Sequence, residues 1–83
     1  MELILDAAWF GNAEQVHNYL ANALQFPAWY GRNLDALYDC LTDCCTDTRI
    51  CLKNFPESGG LYRIAWVIQQ AAKENENLKV MVE

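Results

Sequence analysis

Three short apolar runs punctuate the chain: ELILD at 2–6, TRICLKNF at 48–55 and LKVMV at 78–82. Long stretches with helical spacing separate them. Strands alternating with helices imply a parallel sheet with helices packed on it. The first run is apolar at alternate and intervening positions alike, as in a strand buried on both faces. Between the first two runs the pattern supports two helices. Val16, Tyr19, Leu20, Ala23 and Leu24 recur at helical spacing after Asn12, a residue suited to cap a first turn. A second helix is expected from Leu34, capped by Asn33. Leu61, Ile64, Ala65, Val67, Ile68, Ala71 and Ala72 then form the stripe of a long helix over 61–75. Pro56, the Gly59-Gly60 pair and Asn75-Glu76-Asn77 mark breaks. The expected fold is α/β: a three-stranded parallel β-sheet with three or more α-helices, ordered β-α-α-β-α-β. It fills a single domain over residues 1–83.

The helix from Leu34 is unusual. Asp35, Asp39, Asp43 and Asp47 recur at every fourth position, which stacks them on one helical face. Leu34, Leu37, Tyr38, Leu41, Cys44 and Cys45 take the opposite side. Each like-charge repeat costs a few tenths of a kcal/mol, and an acid near the C-terminal end also opposes the helix dipole. No Lys or Arg lies on the helix to relieve this. Tyr38 and Thr42 border the acids, and Trp29, Tyr30 and Gly31 lead into them. Aromatic residues beside acids have the composition of an interface centre, and a cationic partner is its complement. Trp29 is expected to face that partner, with Tyr30 partly packed. Gly31 is read as supplying backbone freedom to the loop.

Composition excludes several classes. The 83 residues carry a net charge of −5, with 53% hydrophobic and 20% charged positions, so the chain is globular rather than disordered. The acidity, and the absence of a basic stripe with interleaved aromatics, exclude direct nucleic-acid binding. The N-terminus lacks a positively charged leader, and no apolar run nears the ~20 residues of a membrane helix. A cytoplasmic location is expected. The four cysteines include no CxxC pair, and His17 is the one histidine. Neither a metal centre nor a cofactor is expected. The cysteines are read as reduced, with Cys44, Cys45 and Cys51 as small core residues and Cys40 on the acidic side. His17 is read as a surface or boundary residue; no nucleophile completes a catalytic pair with it, so no enzyme is indicated. Trp66 lies off the centre of its helix stripe and is expected to be part-exposed.

The stretch FPAWYGRNLDALYDCLTD resembles the barstar family, small inhibitors of barnase-type ribonucleases. The resemblance is carried by Phe26-Pro27, Trp29-Tyr30, Gly31, Asn33-Leu34-Asp35-Ala36-Leu37, Tyr38, Asp39, Leu41 and Thr42. It implies that the helix and the preceding loop plug the active site of a basic, guanyl-preferring microbial ribonuclease. Asp39 would take the place of an RNA phosphate and Asp35 would contact the rim. Trp29, Gly31 and Asn33 would act at the loop, and Tyr38 and Thr42 around the acids; Asp43 joins the candidate partner surface from its place on the acidic helical face and not from the resemblance. The protein would be a monomer alone and would bind its nuclease 1:1. The alternative within the same class is an immunity protein for a different toxin nuclease. The chain departs from the family pattern at Trp29, where tyrosine is common, at Tyr38, where tryptophan is common, and at Asp43, where glycine is frequent. An acid contributed by the penultimate helix falls at Gln70, with Glu74 one turn on. A reading from another class, metal binding by the aspartates, is weakened because they lie along a helix and not in a loop able to wrap an ion.

Overall fold

A computed structural model describes residues 1–83. Its elements are β1 (Glu2–Asp6), a 3-10 turn (Ala7–Trp9), α1 (Ala13–Leu24), α2 (Leu34–Thr42), β2 (Thr48–Lys53), α3 (Gly59–Glu74) and β3 (Leu78–Val82). This is the expected β-α-α-β-α-β order. The strands form one parallel sheet with β2 in the centre. Side chains alternate across a strand, so the register puts Leu3, Ile50 and Val80 in one row on the helix-covered side and Leu5 and Leu52 in the next, whose third member, Val82 at the end of β3, is exposed. Leu5, Ile50, Leu52 and Leu78 are buried against Val16 and Leu20 of α1, Leu37 and Leu41 of α2, and Ile64, Ile68 and Ala71 of α3. Burying one such side chain contributes about 1.5–3 kcal/mol.

The helices cover only one face of the sheet, which corrects the reading of β1 as buried on both sides. On the open face Ile4 is 48% exposed, and its register partners Cys51 and Met81 lie half-buried and exposed beside it. Three helices suffice for one layer, and the outward positions of β2 and β3 carry charge accordingly. Arg49 pairs with Glu2 at 3.6 Å and Lys53 with Glu83 at 3.3 Å. No helix is long and apolar enough to cross a membrane.

Two helical boundaries differ from the sequence reading, and each difference has a local cause. Helix α2 ends at Thr42, so Asp47 lies outside it and the aspartate stack is shorter than expected. The Thr42 hydroxyl donates back to the Tyr38 and Asp39 carbonyls (2.9 and 3.1 Å), a bond that competes with helix propagation. Asn75 then takes the Leu41 and Cys44 carbonyls from outside the helix. Cys44 and Cys45 consequently lie in the irregular link between α2 and β2, and Cys45 is exposed instead of lying in the core. Helix α3 starts earlier than expected, at Gly59, where φ of +91° suits a residue without Cβ. Strand β2 stops at Lys53 because Asn54 turns into the left-handed region.

Candidate functional site

Helix α2 is fixed from three sides before any of its acids is considered. Beneath it, Leu37 and Leu41 are fully buried. At its N-terminus Asn33 Oδ1 accepts from the Ala36 amide at 2.8 Å, the expected cap. Gly31 serves this cap. A Cβ at Gly31 would lie 2.8 Å from Asn33 Nδ2, so a side chain there would push the capping amide aside. The left-handed residues between α1 and α2 are Gln25, at φ 56°, and Arg32, at φ 53°, so close approach and not backbone freedom explains the glycine. At the C-terminal end the Asn75 amide donates to Leu41 and Cys44 carbonyls, both at 2.8 Å, and accepts from the Asn77 amide at 2.9 Å. Asn75 is buried, and all its polar atoms are matched, as burial requires.

The loop that leads into α2 is anchored on α1. Tyr30 is buried, and its hydroxyl meets His17 Nδ1 at 2.6 Å. Its ring also packs on Phe26 at 4.8 Å between centroids. Next along α1, Asn18 accepts from the Arg32 guanidinium at 2.6 Å. His17 is thus buried, not a boundary residue. Burial, with Arg32 nearby, holds its pKa below the usual 6.5. Burial is also the main reason the Tyr30 hydroxyl is pushed up to about 12, with Cys40 adding to the shift. Both partners are therefore neutral near neutral pH. Sequence spacing carried a signal for His17, which falls between Val16 and Leu20 on the apolar stripe of α1. Asn75 carried none, since a buried asparagine and a turn asparagine read alike.

On this support the aspartates face outward. Asp35, Asp39 and Asp43 are exposed, and neither ion pair of the molecule involves them. Trp29 stands beside them 80% exposed. A hollow of about 380 Å³ gathers Trp29, Gly31, Asp39, Thr42 and Asp43, together with Ala36 and Cys40. Asp35, Asn33 and Tyr38 do not line it. Asn33 is committed to the cap, and Tyr38 is half-buried and packed against the core. Burial first, then Asp39 and Asp43, pushes the Cys40 thiol up, so it is a neutral neighbour and not a thiolate. The face offers carboxylates and an indole on a rigid support, which is suited to charge-assisted hydrogen bonds with Arg, Lys or protonated His groups. It holds no nucleophile paired with a base, and no group of side chains in the protein has the arrangement of a metal site.

The family profile described as Barstar (barnase inhibitor) matches residues 1–81. The chain belongs to the barstar family. It is also 40% identical, over 89 aligned positions covering 99% of this chain and 98% of the relative, to the "Putative ribonuclease inhibitor YrdF" of Bacillus subtilis (strain 168). Membership places the barstar-like chain among inhibitor proteins and not among enzymes.

Proposed function

We propose that this barstar-family protein inhibits a basic ribonuclease of barnase type by seating the acidic face of α2 and the Trp29–Asn33 loop in the enzyme's active site. The observation that carries this reading is a row of exposed acids, Asp35, Asp39 and Asp43, on a core-locked helix with no cation of the chain paired to them. A site built to hold RNA phosphate presents Lys, Arg and His groups. Carboxylates at the matching positions satisfy those groups without a scissile bond. Asp39, in the hollow beside Trp29 and Thr42, takes the central position, and Asp35 reaches the rim. Thr42 spends its proton on the helix backbone and keeps an oxygen free to accept. Trp29 supplies apolar contact area that excludes water around the charges. One face serves one active site, so the complex is 1:1. Net charge of −5 favours rapid, salt-sensitive encounter with a basic enzyme.

The test is inhibition of a panel of barnase-type ribonucleases and toxin nucleases at low salt, comparing wild type with Asp39→Ala. Inhibition by wild type that collapses in the variant supports the reading. Inhibition that is unchanged in Asp39→Ala would place the interface elsewhere.

A further inference from the structure

A second hollow lies next to the first and is not accounted for by phosphate mimicry. It encloses about 340 Å³ between the loop before α2, which contributes Phe26, Pro27 and Trp29, and the end of α2 with the link that follows, which contribute Cys40, Asp43, Cys44 and Cys45. Trp29, Cys40 and Asp43 line both hollows, so the two are continuous. Its walls are mainly apolar. Asp43 is their one carboxylate, and no Lys or Arg is among them.

Three features at its mouth select a cation. First, Asp43 is the C-cap of α2, where the partial negative charge of the helix end already lies. A carboxylate there opposes the dipole, and the last turn has no basic residue to offset it. Asn75 covers the nearby Leu41 and Cys44 carbonyls but not the carboxylate, so a cation arriving from outside lowers the remaining electrostatic cost at Asp43. Second, the Asp43 carbonyl accepts a 3.4 Å bond from the weak thiol donor of Cys45, leaving a backbone acceptor available to a stronger one. Third, the exposed indole of Trp29 borders the same space, and an indole face attracts a delocalised cation best of all side chains. An aliphatic stem fits the apolar walls, and a planar, multiply donating head fits carboxylate, carbonyl and indole together.

We propose that this hollow is a specificity subsite that takes an arginine side chain of the nuclease, at the edge of its active site. The proposal rests on the inhibitor reading above. It assigns Asp43 the role of fixing which nuclease fits, separate from the role of Asp39 in meeting the phosphate-binding groups.

The probe is N-acetyl-arginine methylamide, titrated into the isotope-labelled full chain and followed by backbone amide chemical shifts. Its neutral isostere, N-acetyl-citrulline methylamide, is the control. The expected result is saturable shifts at Phe26, Ala28, Trp29 and Asp43–Thr46, with the citrulline probe about three- to tenfold weaker. Asp43→Asn loses the preference for arginine, and Asp47→Asn, at an exposed acid that lines neither hollow, keeps it. Trp29→Leu, an exposed and structurally tolerant change, also weakens the arginine probe. An absence of saturable shifts, equal binding of both probes, or an arginine preference that survives Asp43→Asn overturns the subsite. If the probe fails while Asp39→Ala still abolishes nuclease inhibition, the subsite falls and the inhibitor reading stands. If the probe binds as expected and Asp39→Ala leaves inhibition intact, the inhibitor reading falls and the guanidinium site stands.

Discussion

The open face of the sheet and the outer face of α2 are both charged, exposed surfaces on rigid elements, yet their charges are treated in opposite ways. On the sheet they are answered within the chain. Glu2 meets Arg49, and Glu83 meets Lys53 and the Cys51 thiol, which together hold its carboxyl below the usual range, Cys51 contributing most. Asp6 accepts from Asn54 and the Ala8 amide, and its carboxyl is lowered for the same kind of reason. On α2, Asp35, Asp39 and Asp43 have no cation of their own, and one sits against the helix dipole. Surface pairs of the first kind contribute little to stability. Unanswered charges of the second kind cost stability, and under the proposed inhibitor function that cost is offset when a partner binds.

The comparison breaks most clearly at Asp39. Asp39→Ala is expected to weaken nuclease binding by about 2–5 kcal/mol, the cost of truncating one member of a desolvated interfacial charge pair. Arg49→Ala, on the sheet, is expected to leave the affinity unchanged. Isothermal titration of both variants measures the contrast. Next in size is the support behind the helix. Asn75→Ala removes the short 2.8 Å donors from the Leu41 and Cys44 carbonyls, leaving each with a longer bond, and is expected to lower stability by about 1–3 kcal/mol in urea unfolding. Arg49→Ala should move it by less than about 0.5 kcal/mol.

The third contrast is in pH. His17 has a folded pKa below 6.5, so the unfolded chain binds its proton more readily. Stability therefore rises with pH through the window from the folded pKa to 6.5 and is flat above it. Tyr30 bounds the other side. Its pKa is raised from 10.0 to about 12, so stability falls as pH climbs through that interval. Both limits belong to one buried bond, and His17→Gln should remove the acidic slope in denaturation midpoints. The smallest effect sharpens the comparison further. Asp43→Asn is expected to stabilise the free protein by about 0.3–1 kcal/mol by relieving the helix C-terminus, while reducing affinity for a nuclease that fills the second hollow. A mutation that stabilises the chain and weakens its complex separates a functional charge from a structural one.

Much of this was legible in the residues. The strands and the caps at Asn12 and Asn33 followed from spacing and side-chain chemistry, because local rules govern both. The acidic face was visible for the same reason. What could not be read was tertiary. Whether Ile4 meets a second helical layer depends on where the helices go, and the strand pattern does not contain it. Asp47 looked helical until a threonine hydroxyl and a distant asparagine took the carbonyls that would have continued α2. Gly31 invited an explanation from backbone freedom, but the requirement comes from its neighbour's capping amide. The second hollow, assembled from the loop and the link after α2, has no signature in the linear order.

The most direct test of the unanswered face is a map of where a basic ribonuclease touches the chain. Amide chemical-shift perturbation with barnase or an inhibited member of the wider panel, at a salt concentration low enough to preserve steering, gives that map. Changes are expected to concentrate in Trp29–Thr46, with the open-face positions Ile4, Arg49, Cys51 and Lys79 undisturbed. Perturbation centred on the sheet, with Asp35, Asp39 and Asp43 silent, would contradict it.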